Sequence, residues 1–301
     1  LGYLEVVAKE TNPRIALSQK YFNVIVRQFF GESFEPILKE DEQTQTVEQS
    51  VMGLFRPYVG LYRSELCRQF KVSIPEKNPK AVNSTLARKM LRLNTDIQNS
   101  AEFQKANIAV KVLTVKSDNV GSVNTHHQRT KGSLKIQNYF DFGKILNETW
   151  EESDLRTYLF DTKFLLVLFE DTGDDQIFKG AKFWQVPLED LDGPIKYVWE
   201  RTRHILREGV TLSYIPYNNA NGYRILNNLP AASDHNVLHV RPDAKKSSYK
   251  VGDVNSLPLP APVKWKNRPK HLINELSNNW MTKQAFWLNP DYMYQQVADL
   301  M

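Results

Sequence analysis

The stretch AEFQKANIAVKVLTV, residues 101–115, decides how the rest of the chain is read. From Ile108 onward its residues alternate, which predicts a strand over 108–115 with Ala109, Lys111 and Leu113 on one face. An acid, Glu102, stands ahead of that strand, and Lys111 projects from it. Two residues before the lysine, where a second acid would share its face, the chain has Ala109.

On the N-terminal side, residues 14–30 have helical spacing, with Phe22, Ile25 or Val26, and Phe29 on one face. Residues 34–50 are acidic and rich in Gln and Thr and read as a linker, followed by a helical run to about Tyr58. Ser64 is placed to N-cap a helix through SELCRQF, and PEKNPK after it is a loop. Residues 81–93 read as a short helix with a basic face of Arg88, Lys89 and Arg92.

On the C-terminal side, strands are expected over 134–140 and 164–169. The turn at 172–175 then leads into a hairpin strand over 177–186. Asp192-Gly193-Pro194 starts an amphipathic helix carrying Ile195, Val198, Thr202, Ile205 and Leu206, which Gly209 ends. Strands follow over 211–215 and 236–241. Residues 242–283 are rich in loops, with prolines at 242, 258, 260, 262 and 269. A last strand over 285–288 and a helix begun by Asn289-Pro290, carrying Met293, Val297 and Leu300, close the chain. No repeat is present. The order of elements argues an α+β class, with a helical segment over 1–60 and a main domain over 61–301 that form one compact unit with each other.

The chain has 301 residues, 41% hydrophobic and 24% charged, an ordinary globular balance. No apolar run approaches the roughly 18 residues of a membrane helix, so no membrane partner is expected. The start, LGYLEVVAKE, has neither an initiator Met nor a signal pattern, and reads as a piece of a longer bacterial cytoplasmic protein. Cys67 is the only cysteine, which excludes an internal disulfide and a Cys-based zinc site, and its helical setting makes it a small core residue. No P-loop, GxGxxG or Gly-x-Ser-x-Gly is present, so NTP-driven, dinucleotide and serine-hydrolase chemistries have no support. Net charge is +5, and its distribution is uneven. Residues 77–135 hold eleven Lys/Arg against three Asp/Glu, and residues 239–284 hold nine against three. Such segments suit phosphate.

Metal-dependent nucleases hold a hard divalent ion with carboxylates and place a lysine beside it, which is the physical sense of a Glu-x-Lys strand. The residues here resemble the MutH family of DNA-cutting enzymes. That family carries Asp-Phe, five residues, then Glu-x-Lys-Thr-Ile, with an earlier Glu in a Leu-Leu-Glu helix. This chain has Glu102-Phe103, then Ala109-Val110-Lys111-Val112-Leu113, and the helix TLARKML puts Arg88 at the earlier acid. Of that set only Lys111 is kept, and Arg88 and Lys89 beside it would repel Mg²⁺. LHVRPDAKKSSY resembles the family's Leu-x-x-Arg-Pro-Lys recognition loop, with Asp243 where the family has lysine. FKGAKFWQVPLEDLDGPIKYVWE and WMTKQAFWLNPDYMYQQVADL resemble the C-terminal half of GATC-cleaving MutH-like type II restriction endonucleases. Those enzymes pair an active N-terminal half with a C-terminal pseudo-nuclease.

The resemblance implies a MutH-like restriction-endonuclease fold, a central mixed sheet flanked by helices. It implies an inactive, DNA-binding effector domain that allosterically promotes cleavage by the active N-terminal half, with no cofactor of its own and Mg²⁺ in the parent enzyme. The implied partners are double-stranded DNA containing GATC, the N-terminal catalytic domain of the same polypeptide, and a second copy in a DNA-induced dimer. No catalytic residue is expected at Arg88, Glu102, Ala109 and Lys111. Contact with DNA is expected from Arg241, Lys245, Lys246, Tyr249, Lys264, Lys266, Arg268, Lys283, Lys111 and Arg88. Within 264–270, four basic residues and Trp265 read either as phosphate contacts with stacking or as a solvated loop anchored by a buried indole. Trp280, Phe286 and Trp287 read as core. His126-His127 reads as a loop near DNA rather than a metal site. The acids of 148–154 read as a helix start. Two other readings stand beside this one: an enzyme whose metal site is completed by acids such as Asp96 or Asp118, and a protein-interaction domain that does not bind DNA.

Overall fold

The computed structural model describes residues 4–6, 15–17, 19–38, 46–74, 81–116, 129–218 and 222–301. In chain order these form β1 (Leu4–Val6), β2 (Ile15–Leu17), α1 (Gln19–Phe29), α2 (Val47–Phe55), α3 (Arg63–Phe70), α4 (Ala81–Met90), α5 (Ala101–Lys105) and β3 (Ile108–Lys116). Then come β4 (Leu134–Lys135), α6 (Lys144–Asn147), α7 (Asp154–Asp161), β5 (Lys163–Asp171), β6 (Gln176–Trp184), α8 (Leu188–Asp190) and α9 (Lys196–Glu208). The chain finishes with β7 (Thr211–Pro216), β8 (Tyr223–Asn227), β9 (Leu238–Pro242), β10 (Ser256–Pro258), β11 (Lys264–Trp265), β12 (Trp280–Thr282), β13 (Gln284–Leu288) and α10 (Pro290–Gln295). The class is α+β. Among the described residues the strands form five ladders of two or three strands, where the sequence suggested one central sheet.

The chain divides into two compact units: residues 1–131, 161–185 and 293–301 in the first, and 132–160 and 186–292 in the second. The first unit is built on β3, β5 and β6, with β3 parallel and β6 antiparallel to the central β5. Phe164 through Phe169 are all essentially inaccessible, as expected of a strand buried on both faces. Ile108, Val110 and Val112 of β3 and Leu165, Val167 and Phe169 of β5 share a core with apolar residues of α2, α3 and α4. Cys67 lies in that core as expected, and burial pushes its thiol pKa up. The β5–β6 register shifts at Leu168/Phe169, beside Gly180, whose φ of 124° disfavours any other residue.

Several boundaries differ from the sequence expectation for local reasons. The first helix starts at Gln19, because residues 15–17 pair with β1 instead. The expected linker ends early: Thr46 and Gln49 form a capping box that starts α2. Ser64 lies inside α3. Its cap position is Tyr62, whose N–H donates to Glu65. The loop expected over 75–80 lies outside the described residues.

In the second unit β13 lies between β4 and β9, both antiparallel to it, and β7 lies between β8 and β11. Only two residues of the strand expected over 134–140 are regular, although Ile136 and Phe140 still donate to Phe286 and Gln284 of β13. Asp192-Gly193-Pro194 is not a clean helix start: α8 runs into a widened turn with Gly193 out of helical geometry before α9 begins. Asp192 holds this break together, accepting from Trp150 Nε1 at 2.7 Å and from both arms of Arg156. Gly209 ends α9 as expected. Its φ is 93°, and a Cβ there would strike the Pro262 carbonyl. No helix of the described residues is long and apolar enough to cross a membrane.

Candidate nucleic-acid interface

The strand that opened the sequence reading lies in the first unit. α5 leads directly into β3, and Glu102 sits in its first turn. Its carboxylate accepts the backbone N–H groups of Ile37, at 2.9 and 3.1 Å, and Leu38, at 3.0 Å. Ile37 and Leu38 are buried, so these donors would otherwise be unsatisfied. Glu35 does the same service in reverse, accepting from the backbone of Asn94 and Thr95, and these bonds hold its pKa below the usual carboxylate range. The two acids stitch residues 35–38 to 94–102.

Lys111 is half-buried on the β3 face shared with Ala109. Arg88 is on α4, which packs against the opposite, Ile108/Val110/Val112 face. The expectation that Arg88 and Lys89 stand next to Lys111 is therefore corrected. Arg88 Nη1 donates to the Asn94 carbonyl at 3.1 Å, while its Nε is buried without a partner among the described residues. Asp96 is exposed, and no group of three His, Cys, Asp or Glu among the described residues is placed to hold a metal ion. Asp118, His126 and His127 lie outside the described residues. Of the acids of 148–154 only Asp154 starts a helix, α7; Glu148 ends α6, and Lys144 pairs with both.

The second unit holds the remaining candidates. On β9, Arg241 pairs opposite Ala285 and is exposed, with its guanidinium 4.9 Å from the Trp287 ring centre. His239, two residues earlier on the same face, is fully buried. Burial first, and the Arg241 charge second, push its pKa down to about 4, so it is neutral at pH 7. Asp243 is neutralised by Lys135 of β4 at 2.7 Å, and its N–H donates to the Lys283 carbonyl. The acid that follows Arg241-Pro242 is therefore offset by a lysine. Lys283 Nζ lies 4.1 Å from the Tyr139 ring centre. Phe286 is core and stacks on Phe140, whereas Trp280 and Trp287 are only half-buried.

Two basic loops meet here. Tyr249 from one and Trp265 from the other pack edge to face at 6.5 Å. Ser277 N–H donates to the Tyr249 carbonyl, and Trp265 Nε1 donates to the Ser277 carbonyl. Arg268 donates to the Leu276 carbonyl at 2.9 Å. Asn267 exchanges two hydrogen bonds with the backbone of Tyr214 on β7. Tyr249 is 7% exposed, and burial pushes its phenol up to about 12; its ring anchors the loops. Trp265 is half-buried and is likewise an anchor for its loop. Lys245, Lys246, Lys264, Lys266 and Lys270 are left exposed around these anchors. An exposed lysine is weak alone, but a fixed cluster raises the local concentration of a polyanion.

Three further cations here escaped the sequence reading: Lys135, Arg224 and Lys250. Lys135 acts across 108 residues of sequence, which no local pattern encodes. Arg224 sits on β8, whose alternating YRILN after an Asn/Gly cluster was the available signal.

An α+β fold, a strand with a lysine but no acid two residues before it, and basic loops that meet are the features set beside known proteins. The chain is 33% identical, over 317 aligned positions, to the type II restriction enzyme Sau3AI of Staphylococcus aureus. The match takes in 99% of this chain and 61% of that enzyme, so the chain spans about three fifths of the length of its relative. No protein-family profile matches the chain.

Proposed function

We propose that this chain is a DNA-binding effector domain of a type II restriction enzyme, with a MutH-like fold and a catalytically degenerate site. It binds a GATC duplex through the second unit's loops and promotes cleavage by an active N-terminal domain of the same cytoplasmic polypeptide. The observation that carries this reading is the near-complete match of the chain to part of a restriction enzyme, joined to the meeting of the loops of Lys246 and Lys266 at one place. Residues 101–111 do not fit the Mg²⁺ that such enzymes use: Glu102 is committed to two backbone N–H groups, and Ala109 offers no ligand. Mg²⁺ belongs to the other domain. Binding one site raises the effective concentration of the attached catalytic domain at a neighbouring site, either along looped DNA or within a DNA-induced dimer.

The test is a GATC duplex competed against a scrambled one, across a salt series, with Mg²⁺ present. Tighter GATC binding, a steep loss of affinity with salt and an uncut duplex are expected. Cutting by this chain, or binding indifferent to salt, contradicts the proposal.

A further inference from the structure

A groove of about 290 Å³ runs in the second unit between β8 and residues 246–250. We propose that it seats a backbone phosphodiester of the bound strand, clamped by Arg224 and Lys246. This rests on the DNA-binding reading above and extends the interface to the β7–β8 hairpin.

Four observations converge on an anionic occupant. Arg224 of β8 and Lys246 of the Arg-Pro loop both line the groove, and among the described residues neither is ion-paired. The two acids in the wall are engaged: Glu275 by Lys250 at 3.4 Å, and Asp253 by the N–H and Nδ2 of Asn255. Arg224 is held in place, with its guanidinium 4.9 Å from the Tyr217 ring centre, so the planar donor fork is fixed before a ligand arrives. Tyr217 is in turn fixed by its N–H bond to the Gly222 carbonyl, which closes the hairpin. Pro242, Ser247, Ser248, Tyr249 and Lys250 of the Arg-Pro loop also line it, so the groove adjoins the loop that carries Lys245 and Lys246. A phosphodiester matches a fork and a point charge in one groove; an apolar ligand would leave both cations desolvated and unpaired.

The test is the slope of log affinity against log salt for the 301-residue chain and a GATC duplex. Arg224→Ala and Lys246→Ala should each make the slope shallower by about 0.9, weakening GATC and scrambled duplexes alike. Arg224→Lys should keep the wild-type slope, and all three variants should keep the wild-type unfolding midpoint, because Arg224 and Lys246 are exposed. A wild-type slope in Arg224→Ala overturns the clamp while leaving the proposed function standing. A flat slope in the unmutated chain overturns both.

Discussion

Glu102 in the first unit and Lys266 in the second are both charged side chains beside a strand, yet they have opposite fates. Glu102 is turned inward onto the backbone of Ile37 and Leu38, and Arg88 of the same region is bonded to the Asn94 carbonyl. In the second unit the inward roles fall to Tyr249, Trp265, Asn267 and Arg268, which leaves Lys264, Lys266 and Lys270 facing water. Charged groups beside β3 serve the scaffold in one unit, and in the other a set of loops leaves its lysines at the surface. A motif alone does not distinguish these outcomes; the hydrogen-bond partners do.

The largest expected effect separates the units by acid. His239 sits at about 4 in the fold against 6.5 in the unfolded chain, so between those values the unfolded state binds more protons. Stability from the neutral His239 is complete above pH 6.5 and falls until pH 4, by roughly 3 kcal/mol in all. In the first unit Glu35 is held low, so its contribution is complete above its unfolded pKa and is lost only as pH falls through the lowered folded value. Amide protection at pH 5 should therefore fall first in β9 and β13, and His239→Gln should remove that difference. Equal loss in both units contradicts the contrast.

Next in size, Lys264, Lys266 and Lys270 changed together to Ala should weaken duplex binding about a hundredfold at moderate salt, with an unchanged unfolding midpoint. A drop in stability with intact binding would make these lysines scaffold after all. Smaller again, Glu102→Ala leaves the N–H groups of Ile37 and Leu38 unsatisfied. It should cost about 1–3 kcal/mol in urea unfolding while duplex affinity stays within twofold. Weaker binding at unchanged stability would return Glu102 to the functional site.

Much of this was legible in the sequence where the signal is local and periodic. The strands at 108–115 and 164–169, the hairpin after Gly173, the body of α9 and its stop at Gly209 follow from alternation, spacing and glycine, and the structure holds all of them. The capping box of α2 was present in the letters Thr46 and Gln49 but hidden in a polar run that imitates a linker. What local pattern does not carry is partnership across the chain. Nothing near Asp243 announces Lys135, nothing near Glu102 announces Ile37, and the side of β3 on which α4 packs is a tertiary choice. Tyr249 looked like a contact residue because a tyrosine among lysines has that composition; only its packing on Trp265 shows an anchor.

Hydrogen exchange of the chain with and without a GATC duplex tests the contrast between the units most directly. Protection on binding should appear in residues 223–227, 241–250 and 264–270, and the backbone of residues 101–111 should exchange as in the free protein. Protection confined to residues 101–111, with the second unit's loops unchanged, would place DNA at β3 and contradict the assignment of the interface.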